Sequence, residues 1–358
     1  MMVLFSKEIV KGTSKIKRLF DPPTPLRVKR ANLAITYLCD SKCQMCNIWQ
    51  EYRNKPEERE NEITFDEIKK MLEESKYLES LDEILLTGGE PFLRNDLYKI
   101  FQYITSKYKY AGIVISTNGM LGRRIIETLK KMLELDGASR MILVFSIDGI
   151  GEKHDKIRGI KGAFNKTLGT IKLVKELDPS MQLGLSCTIT QENYDDFASV
   201  YELSKELHVG FTMRFAATSG NFYANKENKY HWPKEVLDKI EEEINKIIDD
   251  ISNNRNIIKR FFNPDTYFFS RLVDYQKNPR RIFQCYSGIH SFFLDPYGNV
   301  YPCIYIDESL GNIRNTPFDE MWFSSKAQRL REFIKNEKCH CWSECEVLPS
   351  LQRRIIRR

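Results

Sequence analysis

The chain has 358 residues, 42% hydrophobic and 29% charged, a size and balance that fit one large or two globular domains. No apolar run reaches the ~18–20 residues that span a bilayer, so a transmembrane reading fails, and the composition excludes a disordered or collagen-like chain. The formal charge of +6 is carried by the ends: residues 1–30 contribute +6 and the last six residues +4, leaving −4 for the body, which counts against a uniformly basic nucleic-acid binder.

Met1–Phe5 is too short an apolar stretch for a secretory core. Residues 1–30 read as a basic, amphipathic lead-in, with the Asp21-Pro22-Pro23-Thr24-Pro25 breaker near its end. That lead-in is a candidate contact for an anionic membrane surface or a carrier. An alternation then begins. Strands are expected at Ala31–Tyr37, Asp82–Thr87, Gly112–Ser116, Met141–Ser146, Gln182–Thr188 and Gly210–Phe215. Helices are expected at Thr64–Ser75, Asn95–Lys107, Arg123–Leu135, Ala163–Leu177 and Tyr194–Leu207, with Thr64 and Glu67 spaced as a capping box. The strands are short and rich in Ile, Leu and Val, as strands covered on both faces must be. Strand–helix alternation of this kind means a parallel α/β sheet. Six units suggest a (β/α)6 partial TIM barrel, with a flat doubly wound sheet as the alternative. Residues 221–284 read as a helical connector or cover, with Pro233–Ile251 its clearest helix. From 285 to 358 the texture turns to a small cysteine-bearing module. Its β-hairpin joins Phe292–Leu294 to Val300–Pro302 through the turn 295–299.

Nine cysteines stand at positions 39, 43, 46, 187, 285, 303, 339, 341 and 345. An odd number, eight of them in two groups, argues for thiolate metal sites in a reducing cytoplasm rather than disulfides. Cys39, Cys43 and Cys46 follow the first strand directly, on the edge where parallel α/β sheets carry their active sites. Three sulfurs in eight residues suit zinc or an iron–sulfur cluster. Zinc needs a fourth ligand, and no histidine lies between Cys46 and His154. A 4Fe–4S cube held by three cysteines would leave one iron open.

The C-x3-C-x2-C spacing resembles the signature of the radical S-adenosylmethionine (radical SAM) superfamily, and the resemblance extends over residues 30–220. Gly88-Gly89-Glu90-Pro91 after the second strand is similar to the family segment that recognises the methionine amino group of SAM, largely through backbone. The resemblance implies further SAM contacts from Ser116 and Asn118, from Ser146 and Asp148, from Arg158, and from Thr188 at the fifth strand's end. Ser146 and Asp148 would approach the ribose or carboxylate of SAM, and Arg158 the carboxylate. One departure is Met45, where many relatives carry an aromatic residue; its thioether can still pack on a ring. In this family the open iron chelates SAM, and one electron from the reduced cluster releases a 5′-deoxyadenosyl radical. Arg214 and Phe215 on the sixth strand are candidates for the substrate side.

Cys285-x12-Gly298-x4-Cys303, followed by Cys339, Cys341 and Cys345, resembles the SPASM and Twitch extensions of that superfamily. The resemblance implies one auxiliary 4Fe–4S cluster held by four of these five, with Cys285, Cys303 and Cys345 favoured and Cys341 preferred to Cys339. Two clusters are thus expected in all. A structural zinc site using His340 is the alternative. Cys187 reads as a core residue. The expected function is radical SAM oxidation or bond formation on an organic substrate: a small alcohol or sugar, a lipid, or a peptide. A small electron donor such as flavodoxin or ferredoxin would serve it. The competing reading is a non-catalytic zinc-binding interaction protein. RNA modification is disfavoured by the acidic body.

Overall fold

The computed structural model describes residues 27–253, 264–336 and 339–356. The basic lead-in up to residue 26 and the end of the basic C-terminal run lie outside them. Strand β1 is Arg30–Thr36, followed after the cysteine loop by α1, Phe65–Glu74. The expected capping box closes α1: Glu67 N donates to Thr64 Oγ1 at 3.2 Å, and Thr64 N donates to the Glu67 carboxylate at 2.8 Å. The alternation continues through β2 (Glu83–Gly88), α2 (Leu97–Lys107), β3 (Gly112–Thr117), α3 (Gly122–Leu133) and β4 (Met141–Ser146). A short helix, α4 (Glu152–Arg158), was not expected from the sequence; α5 (Ala163–Leu177), β5 (Gln182–Ile189), α6 (Phe197–Glu206) and β6 (Gly210–Phe215) complete six units.

All six strands pair in parallel and in chain order. Their side chains decide between a curved and a flat sheet. Leu85 and Thr87 of β2, Val114 and Ser116 of β3, Val144 and Ser146 of β4, Ser186 and Thr188 of β5, and Thr212 and Arg214 of β6 all line one cavity. These are alternate residues on one face of five successive strands. They meet around one space because the sheet curves about it, so the partial barrel holds and the flat alternative falls. Leu85, Val114, Ile142 and Val144 form its apolar floor. The opposite faces, including Ile113, Leu143, Phe145, Leu185 and Cys187, join the main core under the helices.

Beyond β6 lie α7 (Lys234–Asn253), α8 (Pro264–Ser270) and α9 (Leu272–Lys277). The expected hairpin then forms from β7 (Ser291–Leu294) and β8 (Asn299–Tyr301), with the two-residue β9 (Gly311–Asn312) beside it. The hairpin does not stand apart from the barrel. β7 pairs in parallel with β1, Arg30 opposite Ser291 through Leu33 opposite Leu294, so one nine-stranded sheet runs from β6 to β9. Helices α10 (Phe318–Phe323), α11 (Ser325–Lys335) and α12 (Glu344–Ile356) follow. α12 contains Pro349, which cannot donate to the carbonyl four residues earlier, that of Cys345. The Arg30 guanidinium supplies the missing hydrogen bond at 2.8 Å. Among the described residues no helix is long and apolar enough to cross a membrane.

Candidate functional site

The cavity inside the sheet is closed on one side by the loop after β1, which brings Cys39, Cys43 and Cys46 to it, and on another by Ser343, Glu344 and Cys345 at the start of α12. The loop is held from below by α4: Lys42 N donates to Arg158 O at 2.8 Å and Gln44 N to Ile157 O at 3.0 Å. Asn225 Nδ2 holds Met45 O at 2.7 Å. Met45 itself packs with Cys43, Ile157 and Ala216 and reaches the cavity wall.

Gly88 and Gly89 serve a close approach, but to protein rather than to ligand alone. A Cβ on Gly88 would lie 2.1 Å from Thr36 O, and one on Gly89 2.3 Å from Leu38 O. Gly89 N and Glu90 N instead donate to those carbonyls at 2.7 and 2.8 Å, pinning the end of β2 to the root of the cysteine loop. Glu90 and Pro91 are buried and do not line the cavity. The Glu90 carboxylate accepts from Phe92 N, Thr117 Oγ1 and Asn118 N. Burial raises its pKa to about 7, against the pull of those backbone donors. Its side-chain oxygens are thus taken by protein donors, and only the backbone of this segment stays free of that network.

Asn118 lines the cavity and ties β3 to the cysteine loop, donating to Asp40 Oδ1 at 2.6 Å and Ser41 Oγ at 3.1 Å. Ser116, Ser146 and Thr188 line it too. Asp148 does not. It is fully buried, accepts from Thr188 N at 2.8 Å, and pairs with Arg158 Nη2 at 2.6 Å. A buried carboxylate is stable only when its oxygens are satisfied, and here Thr188 N and Arg158 satisfy them. Arg158 faces the cavity and also donates to Cys43 Sγ at 3.5 Å. Burial alone would weaken its charge, but Asp148 and the Cys43 sulfur hold it firmly protonated. Its buried Nε lacks a partner. His154 Nδ1 accepts from Asp148 N at 3.1 Å, so the ring is neutral; burial and Arg158 push its pKa down to about 4.

Of the two candidates on β6, Arg214 faces the cavity and pairs with Glu344, whereas Phe215 packs in the core against Trp232. Sequence reasoning missed Arg30, Trp49, Tyr223 and Glu344, which also line the cavity. A charged residue opening an otherwise apolar strand was the only signal for Arg30; the others come from distant segments with no local pattern.

The C-terminal cysteines divide in an unexpected way. Cys285, Cys303, Cys339 and Cys341 line a second small cavity, while Cys345 lines the first. Backbone donors point at two of these sulfurs: Ser287 N to Cys285 at 3.5 Å and Tyr305 N to Cys303 at 3.3 Å. Arg281 donates to Cys339 Sγ at 3.5 Å. Burial raises the thiol pKa values in both groups, Cys285 to about 11 and Cys46 to about 12. Such thiols ionise only beside a strong local cation, which suits thiolate–iron bonding. Among the described residues no three His, Cys, Asp or Glu side chains converge on a single metal ion.

Residues 33–204 match the family model of the radical SAM superfamily, and residues 285–346 match the SPASM iron–sulfur cluster-binding domain. The chain is a radical SAM enzyme with a SPASM domain. The AdoMet-dependent heme synthase of Methanosarcina barkeri is 29% identical, over 75% of this chain and 75% of that one. The Fe-coproporphyrin III synthase of the same organism is 28% identical, over 85% of this chain and 75% of that one. Streptococcus suis SuiB, solved with S-adenosylmethionine, shares the fold: TM-score 0.62 at 14% identity, over 89% of this chain and 71% of that one. Radical SAM and SPASM domains bring SAM and 4Fe–4S clusters as cofactors. The three sulfurs lining one cavity beside Arg158 and the second cysteine group with its N–H donors fit these cofactors.

Proposed function

We propose that Cys39, Cys43 and Cys46 hold the SAM-binding 4Fe–4S cluster, that four of the five C-terminal cysteines hold an auxiliary one, and that the cavity between them receives an organic substrate for hydrogen abstraction. The observation that carries this reading is the meeting of the three-cysteine loop, Arg158 and the polar ends of β2–β6 at one cavity whose far wall is the start of α12. When bound, the reduced cluster supplies the electron that cleaves SAM to a carbon radical able to attack an unactivated C–H bond. The chain's own part is to bind, orient and exclude water. Arg158 and Ser146 are suited to the carboxylate and ribose of SAM, and Asn118, Ser116 and Thr188 to its other polar groups. Asp148, Glu90 and His154 hold these in place. Arg30, paired with Glu83, and the Arg214–Glu344 pair give the substrate side its charged groups.

The substrate is an organic molecule delivered to that wall. Two similar relatives bear the names of a heme synthase and an Fe-coproporphyrin III synthase, so tetrapyrroles are the first class to assay, ahead of small alcohols, sugars, lipids and peptides. A small electron carrier such as flavodoxin or ferredoxin would reduce the clusters, in a reducing cytoplasm. The test is anaerobic reconstitution with SAM and dithionite. About eight irons per chain and formation of 5′-deoxyadenosine are expected. A Cys43→Ala chain is expected to keep about four irons and form none. A wild-type chain that binds zinc and leaves SAM intact would sink the reading.

A further inference from the structure

We propose that Cys345 is not a ligand of the auxiliary cluster but a free thiol of the reaction cavity, where it hands a hydrogen atom to the carbon radical present at the end of turnover. The inference rests on the reading just given and assigns the fifth cysteine. Cys285, Cys303, Cys339 and Cys341 share one small cavity, which already supplies the four ligands that a cube takes. Cys345 lines the other cavity, the one that Cys39, Cys43 and Cys46 also line. The charged groups that bear most on it are Glu344, Arg30, Arg214 and Glu346.

The local fold explains the placement. Pro349 removes the helix hydrogen bond that the Cys345 carbonyl would accept, and Arg30 Nη1 takes it over. The first turn of α12 is thereby anchored to β1, at the cavity wall. Arg30 is more than nine-tenths buried and lines the same cavity, and its Nε has no hydrogen-bond partner. Through its other nitrogens Arg30 ties the Cys345 corner of the wall to β1 and to Glu83.

The chemistry follows. An S–H bond is weaker than an alkyl C–H bond, so transfer of hydrogen from the thiol to a carbon radical runs downhill. The bond broken is S–H, the bond formed is C–H, and a thiyl radical remains. One electron from the low-potential donor that also reduces the clusters, together with one proton from water, restores the thiol. Glu346, the next residue, neighbours Cys285, Cys303 and Cys341, so the thiyl lies beside the auxiliary site through which that electron would come. With Cys39, Cys43 and Cys46 committed to iron, the other exchangeable bonds on the wall weak enough to compete are the Tyr223 phenol and the Trp49 indole.

The test uses the full chain, reconstituted anaerobically. Cys345→Ser is expected to keep about eight irons and the wild-type electron paramagnetic resonance of the auxiliary cluster, whereas Cys341→Ala falls to about four. With SAM and dithionite but no substrate, in D2O, the wild-type chain is expected to return deuterium-labelled 5′-deoxyadenosine. Cys345→Ser loses most of that label, and Tyr223→Phe and Trp49→Phe retain it. Loss of the auxiliary cluster in Cys345→Ser, or an unchanged label, overturns the proposal. A label lost only with Tyr223→Phe or Trp49→Phe overturns it as well. A wild-type chain that cleaves no SAM overturns the enzyme reading itself, and this proposal with it.

Discussion

Glu90 and His154 show how two buried groups can hide each other in a pH profile. Glu90 titrates near 7 when folded and near 4.3 when unfolded. Between those values the folded chain holds a proton that the unfolded chain has lost, so this group makes stability fall as pH rises. His154 is pushed the other way, from about 6.5 to about 4. From pH 4 to 6.5 the unfolded chain is the one carrying the proton, so this group makes stability rise with pH. Each shift corresponds to roughly 3–4 kcal/mol, and the two largely cancel near pH 5–6. Single replacements should separate them. Glu90→Gln is expected to leave a denaturation midpoint that climbs from pH 4.5 to 6.5. His154→Asn, which can still accept from Asp148 N, is expected to leave one that declines from pH 4.5 to 7. Urea unfolding at a series of pH values checks the slopes; equal slopes in both variants would refute the assignment.

At the scale of elements, the contact between β1 and α12 is one of the links between the barrel and the SPASM domain. Arg30 pairs with Glu83 on β2 at 2.9 Å and caps the Cys345 carbonyl that Pro349 leaves open. Arg30→Met should leave that carbonyl without its partner, at a cost of about 1–3 kcal/mol. Faster amide exchange across residues 344–351 would report the loss. Pro349→Ala returns an N–H four residues on, so in the double variant part of the loss should be recovered. Simple additivity of the two changes would refute the link. The capping box of α1 and the bounds of β4, α5 and β6 were legible in the sequence, because they depend on local spacing. Helices α4 and α12 were not. The first is set by glycines with positive φ at Gly151 and Gly159, and the second tolerates an interior proline through a partner 315 residues away.

Among the described residues the partial barrel and the C-terminal hairpin share one continuous nine-stranded sheet. β7 completes the edge of β1, the strand that leads into the cysteine loop. A chain ending at residue 284 should therefore lose more than the auxiliary iron. Its β1 edge would be exposed, an invitation to aggregation, and the wall holding Glu344 and Cys345 would be gone. The expected outcome is an aggregating product that also fails to keep the SAM-binding cluster, read by size-exclusion chromatography and iron content. A monodisperse fragment holding about four irons would show the barrel to be independent.

The order of strands and helices, the parallel sheet, the three-cysteine loop and the family were all present in the sequence, because periodicity and spacing act over a few residues. Curvature, the division of the C-terminal cysteines and the separation of Asp148 and Glu90 from the cavity were decided only in three dimensions. The reason is physical. A side chain's chemistry is written in its type, but whether its polar atoms face a ligand or other protein atoms depends on which distant donors arrive beside them. In Asp148 those donors were Thr188 and Arg158, in Glu90 Thr117 and Asn118, and for the Cys345 backbone a guanidinium from the first strand.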